Sequence, residues 1–171
     1  MVDDSAEVHR LLAEAAPLLR ATLRRLTWRG AEVDDMLQDL FVIALKRKRA
    51  VLSAESPRSW LYGIAVNIAS ERRRRHALWS FLGLESAGRL EAKDDPHARL
   101  ERAQSEALLQ AALERLPARK REVFVLFELE GLSGPEIAQA LGCSLNTVWT
   151  RLFYARQALA KICRELAEVP R

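Results

Sequence analysis

Within nine residues, from Asn146 to Tyr154, the sequence sets one amide, two hydroxyls, a guanidinium and three aromatic rings: Asn146, Thr147, Trp149, Thr150, Arg151, Phe153 and Tyr154. Groups of these kinds on one helix read base edges in a major groove, touch thymine methyls and bond phosphates. Three basic clusters, Lys46-Arg47-Lys48-Arg49, Arg72-Arg73-Arg74-Arg75 and Arg119-Lys120-Arg121, each adjoin an apolar helical pattern, as expected where phosphates are met. Solvated helix ends would carry the same charges, because cations also suit helix C-termini. Asp34, Asp35, Gln38 and Asp39 form the acidic counterpart. Catalytic and metal-ligating sets are not expected: His9, His76 and His97 fall in unrelated contexts, and no nucleophile or phosphate-loop pattern appears. Cys143 and Cys163 have no partner at metal-ligand spacing and read as reduced thiols, so neither a metal nor a cofactor is expected.

The elements that must hold these groups are all helical. Val8, Leu11, Leu12, Ala15, Leu18, Leu19, Leu23 and Leu26 recur at helical spacing, with Pro17 expected to kink or break the helix. A second helix is expected from about Ala31 to Lys48, its apolar stripe running through Leu37, Leu40, Phe41, Ala44 and Leu45. The stretch from Arg49 to Glu55 reads as a loop. Ser56-Pro57 then starts a helix, with a hydroxyl placed to cap it and a proline in its first turn. Trp60, Leu61, Ile64, Ala65 and Ile68 make its apolar face, and Trp60 reads as core.

From about His76 to Arg102 the pattern weakens into a linker marked by Gly83, Gly88 and Asp94-Asp95-Pro96, although Leu78-Trp79-Ser80-Phe81-Leu82 is apolar enough to extend the first domain. Beyond it, Leu100, Ala103, Ala107, Leu108, Ala111, Ala112 and Leu116 predict one amphipathic helix closed by Pro117, and Glu122 to Leu129 a short one ended at Gly131. Leu132 to Leu159 then reads as helix, tight turn, helix. Ser133 caps the first of the pair, Glu136 completes a capping box, Gly142-Cys143 is the turn and Ser144 caps the second. Leu145, Val148, Leu152, Ala155 and Leu159 form the expected buried face, which turns the Asn146 to Tyr154 groups outward; Trp149 and Phe153, one turn apart, would alternatively pack on a neighbouring helix. No segment alternates with a period of two, so no sheet is expected.

A chain of 171 residues suffices for two small domains, and about half of it is apolar, which suits a folded protein. No uncharged stretch approaches the roughly 20 residues that cross a bilayer, so no membrane insertion is expected. The start, Met1-Val2-Asp3-Asp4, has no basic region ahead of an apolar stretch, and a cytoplasmic location is expected. The formal charge is only +4; its clustering carries the information.

Three motifs stand in order: Val33-Asp34-Asp35-Met36-Leu37-Gln38-Asp39-Leu40-Phe41, Ser56-Pro57-Arg58-Ser59-Trp60-Leu61-Tyr62-Gly63-Ile64-Ala65-Val66-Asn67, and Leu116-Pro117-Ala118-Arg119-Lys120-Arg121-Glu122-Val123-Phe124 followed by the helix-turn-helix. Together they resemble extracytoplasmic-function sigma factors of the sigma-70 family. The resemblance spans nearly the whole chain. It implies an all-α protein of two helical domains: a region 2-like domain over 1–76, a linker over 77–102 and a region 4-like domain over 103–171 containing the helix-turn-helix. It implies that Asp35, Gln38 and Asp39 dock on core RNA polymerase, and that Asn67 with Arg72, Arg73, Arg74 and Arg75 holds the opened minus-ten strand. The segment from Arg49 to Glu55 would shape the base pocket. Arg119 and the Asn146 to Tyr154 groups would bind the minus-thirty-five element of promoter DNA.

An anti-sigma factor is implied as a further partner, and phosphodiester chemistry would belong to the polymerase, the chain itself being no enzyme. Trp79, Phe81 and the acidic linker residues would dock between the domains in a held state or trail through the polymerase cleft. Three positions depart from the family pattern: Gly63 stands where a basic side chain is frequent, and Trp149 and Tyr154 replace frequently basic positions, implying less salt-dependent affinity and more apolar contact. The alternative reading is a stand-alone helix-turn-helix regulator, which leaves the first half without a purpose.

Overall fold

The computed structural model describes the backbone of residues 4–27, 32–81 and 100–167, and every regular element among them is helical. Helix α1 runs over Asp4–Leu26 and buries Val8, Leu12, Leu19, Leu23 and Leu26. Of the kink or break expected at Pro17, the break does not occur: the helix runs on through it. The ring stands on the exposed side, and the carbonyl that loses its donor belongs to Ala13, itself exposed.

Helix α2, Val33–Lys46, turns Val33, Met36, Leu37, Leu40 and Ala44 inward. Where a loop was expected after it, the chain forms a short helix α3, Lys48–Leu52, pinned by fully buried Val51 and packed on α1. Five residues carry too few apolar positions to announce a helix, which exists only because α1 supplies its packing partner. Helix α4, Pro57–Phe81, begins where expected: the Ser56 hydroxyl accepts from the Ser59 N–H at 3.2 Å. It continues through Ala77–Phe81, where Trp79 and Phe81 stand exposed; residues 82–99 of the expected linker lie outside the described residues.

The second half opens with α5, Leu100–Arg115. Its buried side is Ala112 and Leu113, continued by Leu116 beyond its end, with Leu109 half-buried; Ala107 and Leu108, expected inside, are exposed. Helix α6, Ala118–Phe124, passes into one π-helical turn over Val125–Leu129, and the Glu130 N–H reaches back to the Val125 carbonyl at 3.0 Å. Helices α7, Gly134–Leu141, and α8, Leu145–Ala167, complete the chain.

In the first half α1, α2 and α4 pack on one another; in the second α8 gathers α5, α6 and α7. The halves also meet, because α4 packs on α7 as well as on α2. One apolar core runs through both, from Leu12, Leu23 and Leu40 to Leu113, Leu126 and Leu152.

Candidate nucleic-acid interface

The geometry of the helix-turn-helix follows from its caps. The Ser133 hydroxyl accepts from the Glu136 N–H at 3.4 Å while Glu136 Oε2 accepts from the Ser133 N–H at 2.9 Å, so two orphan donors are satisfied reciprocally. That backbone N–H, with the Ser133 hydroxyl, holds the Glu136 carboxyl below its ordinary pKa. Gly142 ends α7 at φ +59°, a left-handed conformation that glycine adopts without a Cβ clash. Ser144 restarts the chain by accepting from the Thr147 N–H at 3.1 Å.

Val148, Leu152, Ala155 and Leu159 bury one face of α8. Leu145, expected with them, remains 42% exposed in the first turn of α8. Asn146, Trp149, Thr150, Phe153 and Tyr154 are exposed, and Thr147 and Arg151 are half-buried. The two largest rings differ in kind. Trp149 packs its edge on Phe127 (centroids 5.5 Å apart), and its ring fills the space a side chain at Gly134 would need, since a Cβ there would come within 2.5 Å of it. Half of Trp149 is therefore structural, as packing on a neighbouring helix requires. Phe153 is 57% exposed; its ring meets Tyr154 edge to face, and the Lys120 ammonium lies 5.5 Å from the Tyr154 ring centre.

On the first half, Asp35, Gln38 and Asp39 line the exposed side of α2. Asp39 is tied to the arginine run: Arg72 bonds it at 3.1 Å and reaches Glu32 at 3.6 Å. Arg74 and Arg75 are exposed. Arg73 is not. It donates to the Leu26 carbonyl at 2.9 Å and pairs with Glu122 at 2.6 Å, and burial pulls its pKa below the ordinary arginine value. Arg119 is exposed, but Arg121 in the same basic cluster is 3% exposed, its guanidinium spent on the carbonyls of Leu26, Glu114 and Leu116 and drawn by burial down to about 10. Its place in a phosphate-binding cluster is thus corrected: a helix-spacing argument cannot tell an arginine that reaches water from one that reaches backbone.

Asn67, Ser70, Arg73 and Arg74 of α4 face Ala118, Arg119 and Glu122 of α6 across an open groove of about 830 Å³. Residues expected at two promoter elements therefore line one cleft. Two carboxylates at this junction were not anticipated. Glu122 is fully buried and also accepts from Ser70 at 3.1 Å. Glu130, placed by the π turn, accepts from the Tyr62 hydroxyl at 3.0 Å and pairs with Arg25 at 2.8 Å. A signal for Glu122 existed, because it falls on the apolar stripe it shares with Val125, Leu126 and Leu129, where a charge needs a buried partner. Burial also pushes the Tyr62 phenol up.

Family models match the two halves in order: sigma-70 region 2 over residues 11–78 and sigma-70 region 4 over residues 106–159. The chain is 30% identical over 165 residues to the RNA polymerase sigma factor HrpL of Pseudomonas syringae pv. syringae, covering 91% of this chain and 86% of that protein. It is 30% identical over 139 residues to the ECF RNA polymerase sigma-E factor of Escherichia coli K12, covering 76% and 73%. In fold it is similar to the sigma factor RpoE in complex with the anti-sigma factor NepR from Bartonella quintana (TM-score 0.71, 23% identity, 92% of this chain and 97% of that one). CnrH in complex with the cytosolic domain of CnrY is also similar (TM-score 0.63, 29% identity, 95% and 89%).

Proposed function

The chain belongs to the extracytoplasmic-function sigma factors of the sigma-70 family, and from this premise we propose how its surfaces divide the work of promoter recognition and transcription initiation. Asp35, Gln38 and Asp39 on α2 dock on core RNA polymerase. Asn67, with the arginines from Arg72 to Arg75, holds the opened minus-ten strand: phosphate contacts position it, and a hydrogen-bonding amide receives an unstacked base, whose extrusion costs a few kcal/mol. Arg119 binds phosphate beside the minus-thirty-five element, and Asn146, Thr147, Trp149, Thr150, Arg151, Phe153 and Tyr154 read that element in the major groove.

One observation supports this division most: a single chain carries both an exposed acidic helix face and a capped helix-turn-helix whose outer face sets amide, hydroxyl and aromatic groups beside a guanidinium. A stand-alone regulator has no use for the first. The polymerase performs the phosphodiester chemistry, the chain acts in the cytoplasm, and an anti-sigma factor restrains it, a reading supported by the similar RpoE, which was solved in complex with the anti-sigma factor NepR. The domain limits are 1–76 and 103–171, with the linker between.

Run-off transcription by core polymerase over a pool of promoter fragments tests the reading. New transcripts appear with the wild type and are lost with Asp39→Arg. DNA binding without any core-dependent transcript would point instead to a stand-alone regulator.

A further inference from the structure

We propose that the face of α4 around Gly63 is a docking surface for α7 of the same chain, and that this contact latches the free protein shut. Gly63 is buried, and a Cβ built on it would lie 2.9 Å from the Ala140 carbonyl oxygen and 3.3 Å from the Ala140 Cα. The three atoms nearest that Cβ all belong to Ala140, so the crowding comes from the second half. Two helices approach this closely only where one lacks a side chain. In the second half the facing atoms are backbone, so Ala140 offers no side chain whose removal would make room.

Around this notch, three carboxylates of the second half are held by the first. Glu136 accepts from the Ser56 hydroxyl at 3.0 Å, Glu130 takes Tyr62 and Arg25 while its carbonyl takes Arg58 at 2.6 Å, and Glu122 takes Arg73 and Ser70. Buried ion pairs of this kind select one geometry but contribute little net stability, because each charge sheds its hydration to enter. These pairs therefore make the seam specific without adding much to the cost of opening it, which falls on the apolar contacts of the shared core.

The consequence for promoter binding rests on the sigma-factor reading. Elements named for positions ten and thirty-five lie about 25 base pairs, or roughly 85 Å, apart along B-form DNA. A compact chain of 171 residues has a radius of gyration of only about 16 Å. With Asn67 and Arg119 on one groove, the closed chain cannot meet both elements at once. It must unlatch at Gly63 to act.

Small-angle X-ray scattering of the full chain, beside far-UV circular dichroism, tests the latch on the wild type, on Gly63→Lys and on a Glu122→Gln/Glu130→Gln double variant. The wild type should scatter as one compact body. Gly63→Lys should keep its helicity while its radius of gyration rises by about a third, as expected when two bodies of about 70 residues separate. An extended wild type, or a helical Gly63→Lys with the wild-type profile, overturns the proposal. Should Gly63→Lys lose helicity, the double variant decides: expansion supports the latch, and an unchanged profile overturns it. Run-off transcription by the wild type keeps the two readings apart, since expansion of Gly63→Lys without any core-dependent transcript from the wild type would uphold the latch and defeat the sigma reading.

Discussion

Arg119 and Arg121 stand two residues apart, yet their substitutions should report on different things. Arg121→Met leaves the carbonyls of Glu114 and Leu116 without their donor and should cost about 2–4 kcal/mol in urea unfolding. Arg119→Ala, at an exposed position, should change stability by less than about 0.5 kcal/mol and weaken minus-thirty-five DNA binding instead. Glu136 gives a pH signature. Its folded carboxyl titrates below the ordinary 4.5, so the stability it contributes is present above that value and lost as pH falls through the folded pKa. Between pH 5 and 3, a denaturation series should therefore decline more steeply for the wild type than for Glu136→Gln. Equal slopes would show that the capping carboxylate does not contribute.

Among the elements, those with chemistry at their ends were the most legible. Ser56, Ser133, Glu136, Gly142 and Ser144 announce caps and a left-handed turn from residue type alone, and each is found doing that work. Elements without such marks were read less well. Helix α3 depends on a partner that precedes it by the whole length of α2, and the register of α5 slipped because alanines and leucines occupy several of its sides. The outward face of α8 was legible, but which of its rings also packs was not, since that is fixed by Phe127 and Gly134 on other elements. The two rings should accordingly separate on substitution. Trp149→Ala should lower stability by about 1–2 kcal/mol through its half-buried edge, whereas Phe153→Ala should leave the melting midpoint nearly unchanged while reducing affinity for minus-thirty-five DNA. A Phe153→Ala protein that bound that duplex like the wild type would remove Phe153 from the reading face.

For the whole molecule, two halves and their order could be read from motifs, whereas their contact could not. Helical periodicity identifies an apolar stripe without naming what covers it, and the seam here adds to the shared apolar core a set of polar pairs, Arg25, Arg58, Tyr62 and Arg73 against Glu122 and Glu130. Gly63 showed as a departure from a family pattern, but its use emerged only once Ala140 stood beside it. The seam also withholds a cation from DNA. Releasing Arg73 with Glu122→Gln should steepen the fall of log K with log salt on duplex DNA by about 0.9, one further phosphate neutralised. An unchanged slope would mean that Arg73 meets no phosphate even when freed.

The Leu26 carbonyl accepts a guanidinium from each half, Arg73 at 2.9 Å and Arg121 at 3.3 Å, at the negative end of the α1 dipole. Because the acceptor is main chain, any residue at position 26 supplies it, so alanine scanning would register the loss of a Leu side chain there and miss the junction. Genetic drift at that position is likewise blind to it. A backbone ester in place of the amide that follows Leu26 weakens this oxygen as an acceptor; it also removes the Thr27 N–H that donates to the Leu23 carbonyl at 2.9 Å, so the loss in excess of that one bond would expose a meeting point that no codon change can reach.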